Sequence, residues 1–510
     1  MAAGAPILFF SLWVPAQGVL TIRLHYQSSL RWSQQREKNL DRPCSLNHPL
    51  VPETDLMKSR PFLVLLLAAA FAPARAEEAA FVSLFNGQDL SQWVPCNIAD
   101  DTFTVRDGVL VTSGVPTGTL RTEKMYENFI LEFEWRHMEK GGNSGLFVWA
   151  DGFPAVGSPF SRGFEIQILD PGFNVPGKNE WYSTHGDIFA VNGSSLTVAG
   201  RISPDGKRSF PSEERTKPSP QWNHYRVVAN NGDLSLSVNG KEVTIAKQAN
   251  PRKGYLMLES EGAECQFRNL RIAELPSTHP DQQQTARATD GFVPIFNGID
   301  LSGWRVPEGD NGHWGVIGQV IDYDALSEST GDKNLWTSRE YKNFELVVDW
   351  RIKATPYNNP RVYELLPDGS EALGPDGKPV PQTLPDSDSG IFLRGEGKYQ
   401  VNIWCWPAGS GEMYGVRRDP SMPQQTRAGV TPLMKADHPI GTWNRFEITV
   451  KEDTVRIVLN GKEVIPTVKI PGMPDSGPIA LQHHGNQREG QWVSPPALVQ
   501  FRNLFIRELP

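Results

Sequence analysis

The sequence predicts an all-β protein made of two tandem jelly-roll sandwiches. Two observations predict this fold class. The stretch FVSLFNGQDLSQW at residues 81–93 recurs as FVPIFNGIDLSGW at residues 292–304. In both halves, alternating apolar and polar residues run up to an Asn-Gly pair, at LSLSVNG (234–240) and VRIVLNG (455–461). Alternation with period two followed by Asn-Gly is typical of a β-hairpin. No stretch from Glu77 onward shows a sustained helical period.

Further blocks recur in the same order and establish a tandem duplication. NFILEFEWR (128–136) matches NFELVVDWR (343–351), and NSGLF (143–147) matches DSGIF (388–392). Near each end, QFRNLRIAELP (266–276) matches QFRNLFIRELP (500–510). A period of about 200 residues is too long for a solenoid repeat, so each copy is a domain. We expect sandwiches at residues 77–276 and 291–510, joined by a linker at 277–290.

Two local features give more specific expectations about each sandwich. The FNG stretch and the FRNL stretch bracket each copy, so we expect them to pair and close the fold. The second copy also carries an insertion, residues 356–385, that is rich in Pro, Gly and Asp. Because it shows no periodicity, the insertion predicts a long loop, and loops of that length usually have a function or are mobile.

The N-terminal region reads as a processing signal placed behind an over-extended gene start. Residues 57–60 (MKSR) form a basic region, residues 62–71 are apolar, and Ala74-Arg75-Ala76 supplies a small-x-small cleavage site. This layout predicts a signal peptide at 57–76 and a mature chain from Glu77 that is secreted or periplasmic, without a transmembrane anchor. Residues 1–56 are then expected to be unstructured. The alternative signal, residues 6–14, lacks a basic region and a clean cleavage site.

Net charge indicates which binding partners are unlikely, and the cysteines indicate which disulfides are possible. The formal net charge is −8 and no basic block is present, which argues against a nucleic-acid partner. Export would permit disulfides. Cys96 and Cys265 lie near the two ends of the first copy, and both a bridge and a pair of buried thiols remain open from the sequence. Cys405 has no partner within its own copy.

The recurring blocks resemble a known family. FNGxDLSxW, NSGxF, the strands FEIQILD and YQVNIW, VNGKEV and FRNLxIxEL resemble the 3-keto-disaccharide hydrolase domain over residues 80–276 and 291–510. The resemblance implies a fold similar to concanavalin A and laminin-G jelly rolls. It also implies cleavage of glycosides whose sugar carries a ketone at C3.

The chemistry of such a glycoside sets what the site must contain. A ketone at C3 acidifies the C2 proton, so a base can remove it and the C1 substituent leaves by elimination. Water then adds to the enone, which gives net hydrolysis. The site needs a base, a group that stabilises the enolate, and an acid near the leaving oxygen. A divalent metal ion held by His483, His484 and Glu412 could stabilise the enolate.

Comparing the two copies column by column selects candidate residues. Asp187 falls opposite Glu412, so this column is acidic in both copies, and LESEG (258–262) falls opposite LQHHG (481–485). Adjacent histidines on a strand point to opposite faces, so only one can enter a site. The candidate catalytic residues are Glu412, His483, His484, Asp187 and Glu165. The candidate substrate-binding residues are Arg394, Gln400, Asn402, Tyr414, Trp404, Gln167 and His185.

Structural roles compete with each of these assignments. Polar residues on strands are often solvated, and aromatic residues in a sandwich are mostly core. Trp149 and Ser260 replace Arg394 and His483 in the first copy, so we expect weaker activity there or none. A second hypothesis is that both copies are carbohydrate-binding modules without catalysis, since the sandwich serves both purposes. A buried carboxylate and histidine in a deep pocket would favour the enzyme, and an exposed aromatic platform would favour the binding module.

Overall fold

The computed structural model describes residues 80–173 and 185–510. The predicted gene-start segment and signal peptide lie outside the described residues. The fold is all-β, as predicted, with antiparallel sheets in two halves. No helix of the described residues is long and apolar enough to cross a membrane.

The strands of the first half run from residue 82 to residue 274. They are β1 (Val82–Ser83), β2 (Trp93–Cys96), β3 (Phe103–Arg106), β4 (Val109–Thr112), β5 (Gly118–Thr122), β6 (Phe129–His137), β7 (Asn143–Ala150), β8 (Gly163–Leu169), β9 (Ile188–Val191), β10 (Ser195–Val198), β11 (Arg201–Ile202), β12 (Arg208–Phe210), β13 (Asn223–Asn230), β14 (Asp233–Val238), β15 (Lys241–Asn250), β16 (Tyr255–Ser260) and β17 (Cys265–Glu274). A 3₁₀ turn spans Pro171–Phe173.

The elements of the second half run from residue 293 to residue 508. They are β18 (Val293–Pro294), β19 (Trp304–Arg305), β20 (Trp314–Ile317), β21 (Val320–Tyr323), β22 (Leu335–Tyr341), β23 (Phe344–Ile352), β24 (Tyr357–Tyr363), β25 (Pro381–Asp386), β26 (Ser389–Leu393), β27 (Glu396–Ile403), α1 (Tyr414–Arg417), α2 (Gln424–Gly429), β28 (Asn444–Lys451), β29 (Thr454–Leu459), β30 (Lys462–Lys469), β31 (Gly477–Leu481), β32 (Gln487–Arg488), β33 (Gln491–Trp492) and β34 (Val499–Glu508).

Each half contains two large sheets. In the first half, sheet 1a has the order β10-β15-β14-β13-β6-β17-β4-β3, with β1 also on β17, and sheet 1b has the order β11-β12-β9-β8-β7-β16-β5-β2. In the second half, sheet 2a is β20-β21-β34-β23-β28-β29-β30, with β18 also on β34, and sheet 2b is β19-β22-β31-β26-β27. Each pair of sheets encloses its own apolar core, because alternate side chains of every strand point inward.

Turn chemistry and end pairing follow the sequence. The β14–β15 hairpin turns at Asn239-Gly240, with φ of 48° and 86°, and Asn460-Gly461 does the same between β29 and β30. Positive φ at both central positions is what a type I′ turn requires. The predicted pairing of the FNG stretch with the FRNL strand is confirmed, since β1 pairs with β17 and β18 with β34.

Three expectations need correction or a decision. The insertion at 356–385 is not an irregular loop, because β24 and β25 pair as an antiparallel arm. Two short helices, α1 and α2, follow β27 and were not predicted. Cys96 lies in sheet 1b and Cys265 in sheet 1a, and both are free buried thiols, as Cys405 is a free, partly buried one. The sequence had left the bridge open.

The linker is part of the first sandwich's surface. Ala286 N–H donates to the carbonyl of Lys253 at 2.7 Å, and Gly152 N–H donates to the carbonyl of Arg287 at 2.9 Å. The guanidinium of Arg287 in turn reaches both carboxylate oxygens of Glu447 in the second sandwich, at 3.1 and 2.6 Å. The segment therefore ties the two sandwiches together.

A buried polar contact joins the two sandwiches on the outer face of sheet 2a. Asp349 accepts hydrogen bonds from Arg445 Nε at 2.6 Å and from Asn503 Nδ2 at 2.7 Å, and also from the backbone N–H of Gly157 in the first sandwich at 2.9 Å. Arg445 Nη2 donates to the carbonyl of Pro154 at 2.8 Å. Asp349 and Arg445 are both buried. The equivalent residue in sheet 1a, Glu134, remains partly exposed.

We expect Asp349→Asn to lower the free energy of unfolding by about 3–5 kcal/mol, because it leaves the buried charge of Arg445 without its partner. Glu134→Gln is the matched control, since Glu134 pairs with Arg268 at the same position of the first sandwich but with both side chains accessible to solvent. Its loss should be about 0–1 kcal/mol. Urea unfolding of both variants measures the difference, and equal losses would show that the contact between sandwiches adds nothing.

Candidate active site

The candidate site lies on the outward face of sheet 2b, in a cavity of about 730 Å³. Strand alternation explains how its side chains arrive there. Ile391 and Val401 point inward to the core, so Gln400 and Asn402 point outward to the cavity. The cavity lining is Asn359, Arg361, Tyr363, Glu371, Pro379, Asp388, Gln400, Asn402, Trp404, Trp406, Tyr414, Arg418, Gln482, His484 and Pro495.

The insertion supplies one wall of this cavity. Asn359, Arg361 and Tyr363 lie on β24, and Glu371 and Pro379 lie in the connection between β24 and β25. Asn359 Nδ2 donates to Asp386 Oδ2 at 2.8 Å, and this hydrogen bond links β24 to the end of β25. The first copy has no matching arm in its sequence, so the second site is enclosed by a feature that is its own.

The two histidines follow the end of β31 and face different surroundings. His484 lines the cavity, and its Nδ1 lies 2.5 Å from the carbonyl of Pro495. His483 points the other way, with Nδ1 2.5 Å from the hydroxyl of Tyr323. Burial lowers the pKa of His483 to about 4, with the nearby charge of Lys333 adding to the effect. Of the two histidines, His484 lines this cavity and His483 does not.

Glu412 does not line the cavity. Its carboxylate is fully buried and pairs with Arg417 Nε. Burial raises the pKa of Glu412 to about 7, although Arg417 opposes the shift. In the first sandwich, the equivalent Asp187 is also buried and accepts from Arg208 Nη1 at 3.2 Å. The acidic column that suggested catalysis therefore holds a buried ion pair in both copies.

Arg394 is also placed away from the cavity. Its guanidinium donates to three backbone carbonyls: Lys342 (from Nε at 2.7 Å), Glu452 (2.6 Å) and Pro474 (2.8 Å). Trp149, its counterpart in the first sandwich, donates from Nε1 to the carbonyl of Glu127 at 2.7 Å. Both residues have positive φ, 51° and 52°. Arg394 thus anchors the chain just after β26, and Trp149 anchors β7 near its end. Neither side chain faces a ligand.

The proposed metal ligands do not converge. His483 faces Tyr323, Glu412 is held by Arg417, and His484 alone reaches the cavity. Within residues 80–173 and 185–510, no group of three or more His, Cys, Asp or Glu side chains is arranged to hold a metal ion. These three residues therefore do not fit a metal ion, and we assign no step to one.

The sequence comparison overlooked the acid that does reach the cavity, Asp388. Burial raises the pKa of Asp388 to about 7; His484 opposes the shift and Asp386 adds to it. No side-chain hydrogen bond to Asp388 forms from the described residues, so its carboxyl group is available to a ligand. The signal was present in the sequence, because Asp388 replaces Asn143 and His484 replaces Glu261 in the same two columns.

Amide and aromatic side chains complete the cavity. Gln400 Nε2 donates to Gln482 Oε1 at 2.6 Å, which orients the Gln482 amide. Asn402 Oδ1 is buried without a partner among the described residues. Trp404 and Trp406 stack in parallel with ring centres 4.2 Å apart, and both are mostly buried. They shape one side of a polar cavity and do not form an exposed platform.

The first sandwich carries side chains at the same positions of sheet 1b. Gln167 Nε2 donates to Asn143 Oδ1 at 2.8 Å, and Asn143 Nδ2 donates to Glu261. Glu165 and Glu259 lie on the same outward face and are buried. His185 lies elsewhere: burial lowers its pKa, and the opposing charges are those of Glu214 and Asp170. Of the first-copy candidates, Glu165 and Gln167 therefore lie on this face, whereas Asp187 forms an ion pair with Arg208.

Glycine in the Asn/Asp-Ser-Gly motif is required by close approach of these side chains. A Cβ at Gly390 would lie 2.4 Å from Gln400 Nε2, and a Cβ at Gly145 would lie 2.9 Å from Glu165 Oε1. Any larger residue would displace the polar side chain that crosses it. The motif thus marks the floor of the same outward face in both sandwiches.

Comparisons with solved structures find three similar chains of low identity. A solved candidate glycosyl hydrolase from Parabacteroides distasonis ATCC 8503 is 22% identical, over 38% of this chain and 94% of its own, with a TM-score of 0.29. The carbohydrate-binding module CBM66 from Bacillus subtilis is 11% identical over 36% and 96%, with a TM-score of 0.26. The VIP36 exoplasmic/lumenal domain is 10% identical over 42% and 98%, with a TM-score of 0.29.

Similarity to solved structures at these identities and TM-scores does not indicate a function, so the function is argued from this chain's own residues. A search of curated proteins finds no match. The profile of the 3-keto-alpha-glucoside-1,2-lyase-like domain matches residues 80–273 and again residues 291–507. The chain therefore belongs to the 3-keto-alpha-glucoside-1,2-lyase-like family and carries two copies of its domain in tandem.

Proposed function

We propose that the second sandwich cleaves 3-keto-glycosides by removing the proton at C2 and eliminating the substituent at C1. The observation that supports this most strongly is Asp388, a carboxyl group with a pKa near 7 that lies beside His484 in the wall of a deep polar cavity. A base is most effective when its pKa lies near the working pH, because it is then both deprotonated and strong.

The proton and electron movements can be assigned to cavity residues. Asp388 takes the C2 proton, and the electron pair forms the C1–C2 double bond as the C1–O bond breaks. The leaving oxygen takes a proton from Nε2 of protonated His484, whose Nδ1–H donates to the carbonyl of Pro495, and His484 is left as the neutral imidazole. Water then adds its hydroxyl group at C1 and a proton at C2, which restores the saturated 3-keto-sugar.

The developing enolate needs hydrogen-bond donors that are already in place. The amides of Asn402 and Gln482 line the cavity, and Gln400 holds Gln482 by a 2.6 Å hydrogen bond. Preorganised donors in a site that excludes water stabilise developing charge at little reorganisation cost. Tyr414 lines the cavity and is 40% exposed, so its ring offers a surface against which a sugar ring can lie, and Trp404 packs edge-on against it.

The binding-module alternative is less well supported. A module that only binds sugar is expected to present an exposed aromatic platform, whereas Trp404 is 4% exposed and Trp406 is 7% exposed. A carboxyl group with a raised pKa is not needed for binding alone. The combination of Asp388 and His484 in one polar cavity therefore favours catalysis.

Asp388→Asn should lower kcat for methyl 3-keto-α-glucopyranoside by about 10²–10⁴-fold, because it removes the base and keeps the shape. In the unchanged protein, kcat/KM should fall about tenfold per pH unit below a pKa near 7, since protonated Asp388 cannot accept the proton. Glu412→Gln is the contrasting variant: it breaks the buried pair with Arg417, so it should lower stability but keep most turnover. If Glu412→Gln abolished turnover and Asp388→Asn did not, the assignment of the base would be wrong.

The histidines give an independent test, because they are adjacent in sequence and opposite in direction. His484→Ala should lower kcat by about 10²-fold or more by removing the proton donor. His483→Phe fills the same buried space beside Tyr323 and should change kcat little, while lowering the melting temperature. Steady-state kinetics and thermal melts on both variants separate the two roles, and equal losses of kcat would contradict the assignment.

A further inference from the structure

The first sandwich contains an acidic group that the proposed reaction of the second does not use. Glu165 on β8 and Glu259 on β16 converge above Gly145: the Cβ position of Gly145 lies 2.9 Å from Glu165 Oε1 and 2.6 Å from Glu259 Oε2. Glu259 is 1% exposed, and neither of its carboxyl oxygens has a partner within the described residues. A buried charged group in this state would be very costly, so it must be neutralised.

The surroundings decide how the neutralisation occurs. The groups that act on this pair are Glu261 and Asp187, which are acidic, and Arg208, which is already paired with Asp187. Burial and the neighbouring carboxyl groups raise the pKa of Glu165 to about 8 and that of Glu259 well above its usual range. Two close carboxyl groups that cannot both ionise hold a proton between them.

The half-buried end of the cluster gives access to a ligand. Asn143 and Glu261 are partly exposed, whereas Glu165 and Gln167 lie deeper. Gln167 is held by Asn143 at 2.8 Å, so the floor of the cluster is ordered in the absence of a ligand. A saccharide hydroxyl or ring oxygen can accept a hydrogen bond from a protonated carboxyl group, and its hydroxyls can donate to the remaining carboxyl oxygens.

We propose that the outward face of sheet 1b is a second carbohydrate site, in which Glu165 and Glu259 share a proton and hydrogen-bond an uncharged saccharide. The ligand is uncharged because a uronic acid or sulfated sugar would meet three carboxyl groups, and among the described residues the cation that acts on them, Arg208, is paired with Asp187. This site is independent of the reaction proposed for the second sandwich, since it requires no turnover.

Calorimetry with maltose, an uncharged α-glucoside, tests the proposal on the full chain. Gly390→Ala serves as the background, because it blocks the floor of the second cavity. In that background maltose should still bind, and Gly145→Ala or Glu259→Gln should weaken binding about tenfold or more. Glu134→Gln, an accessible Glu-to-Gln change on the opposite sheet, should leave binding unchanged. Binding should also weaken as the pH rises above about 8, where the shared proton leaves.

Infrared spectroscopy and the pH dependence of the melting temperature test the shared proton without requiring that a variant bind sugar. The carbonyl band of protonated carboxylic acids should be weaker at pH 7 in Glu259→Gln than in the unchanged protein. Because the pKa of Glu165 is raised in the folded state, folding retains a proton, and the melting temperature should fall as the pH rises from about 5 to about 8. Glu165→Gln should flatten that dependence. Absence of maltose binding, or tight binding of Ca²⁺ or Mn²⁺ that these variants abolish, would overturn the proposal.

Discussion

The alternation of side chains along the strands of sheets 1b and 2b is the constraint on which the rest of the structure depends. One set of residues fills the core, as Ile166 and Val401 do, and the other set is released to the outward face. Each outward face then collects polar groups from three adjacent strands. A one-residue slip of β27 would turn Gln400 and Asn402 toward the core and Val401 toward the cavity, so the pairing register also specifies the site.

The two copies use this shared face differently. In the second sandwich, Asp388 and His484 combine an acid and an imidazole inside a cavity that the β24–β25 arm encloses. In the first, the charged groups among the described residues that act on Glu165 are Glu261, Asp187 and Arg208, and Arg208 is paired with Asp187. The two copies therefore place polar side chains at the same positions of the sheet, but the residue types, and so the groups that can take or give a proton, differ. The buried contact of Asp349 and Arg445 with residues 154–157 keeps the two sandwiches together.

Sequence reasoning recovered the fold and the sheet face, but only part of the site. Turn chemistry is local, so the hairpin at Asn239-Gly240 was predictable, and the motifs that bracket each copy predicted the pairing of β1 with β17. Side-chain partners are not local. Nothing in the sequence shows that Arg417 neutralises Glu412 or that three backbone carbonyls hold Arg394. The acidic column was similar in both copies because an ion pair is needed there, whereas the site residues are those that changed together.

Exchange of the C2 hydrogen tests the central claim most directly, because it reports proton abstraction without requiring the C1–O bond to break. Methyl 3-keto-α-glucopyranoside in deuterated water can be followed by proton NMR with the unchanged protein and with Asp388→Asn. The account predicts loss of the C2 signal with the unchanged protein, and exchange at least about 10²-fold slower with Asp388→Asn. Equally fast exchange with the two proteins would contradict the assignment of Asp388 as the base.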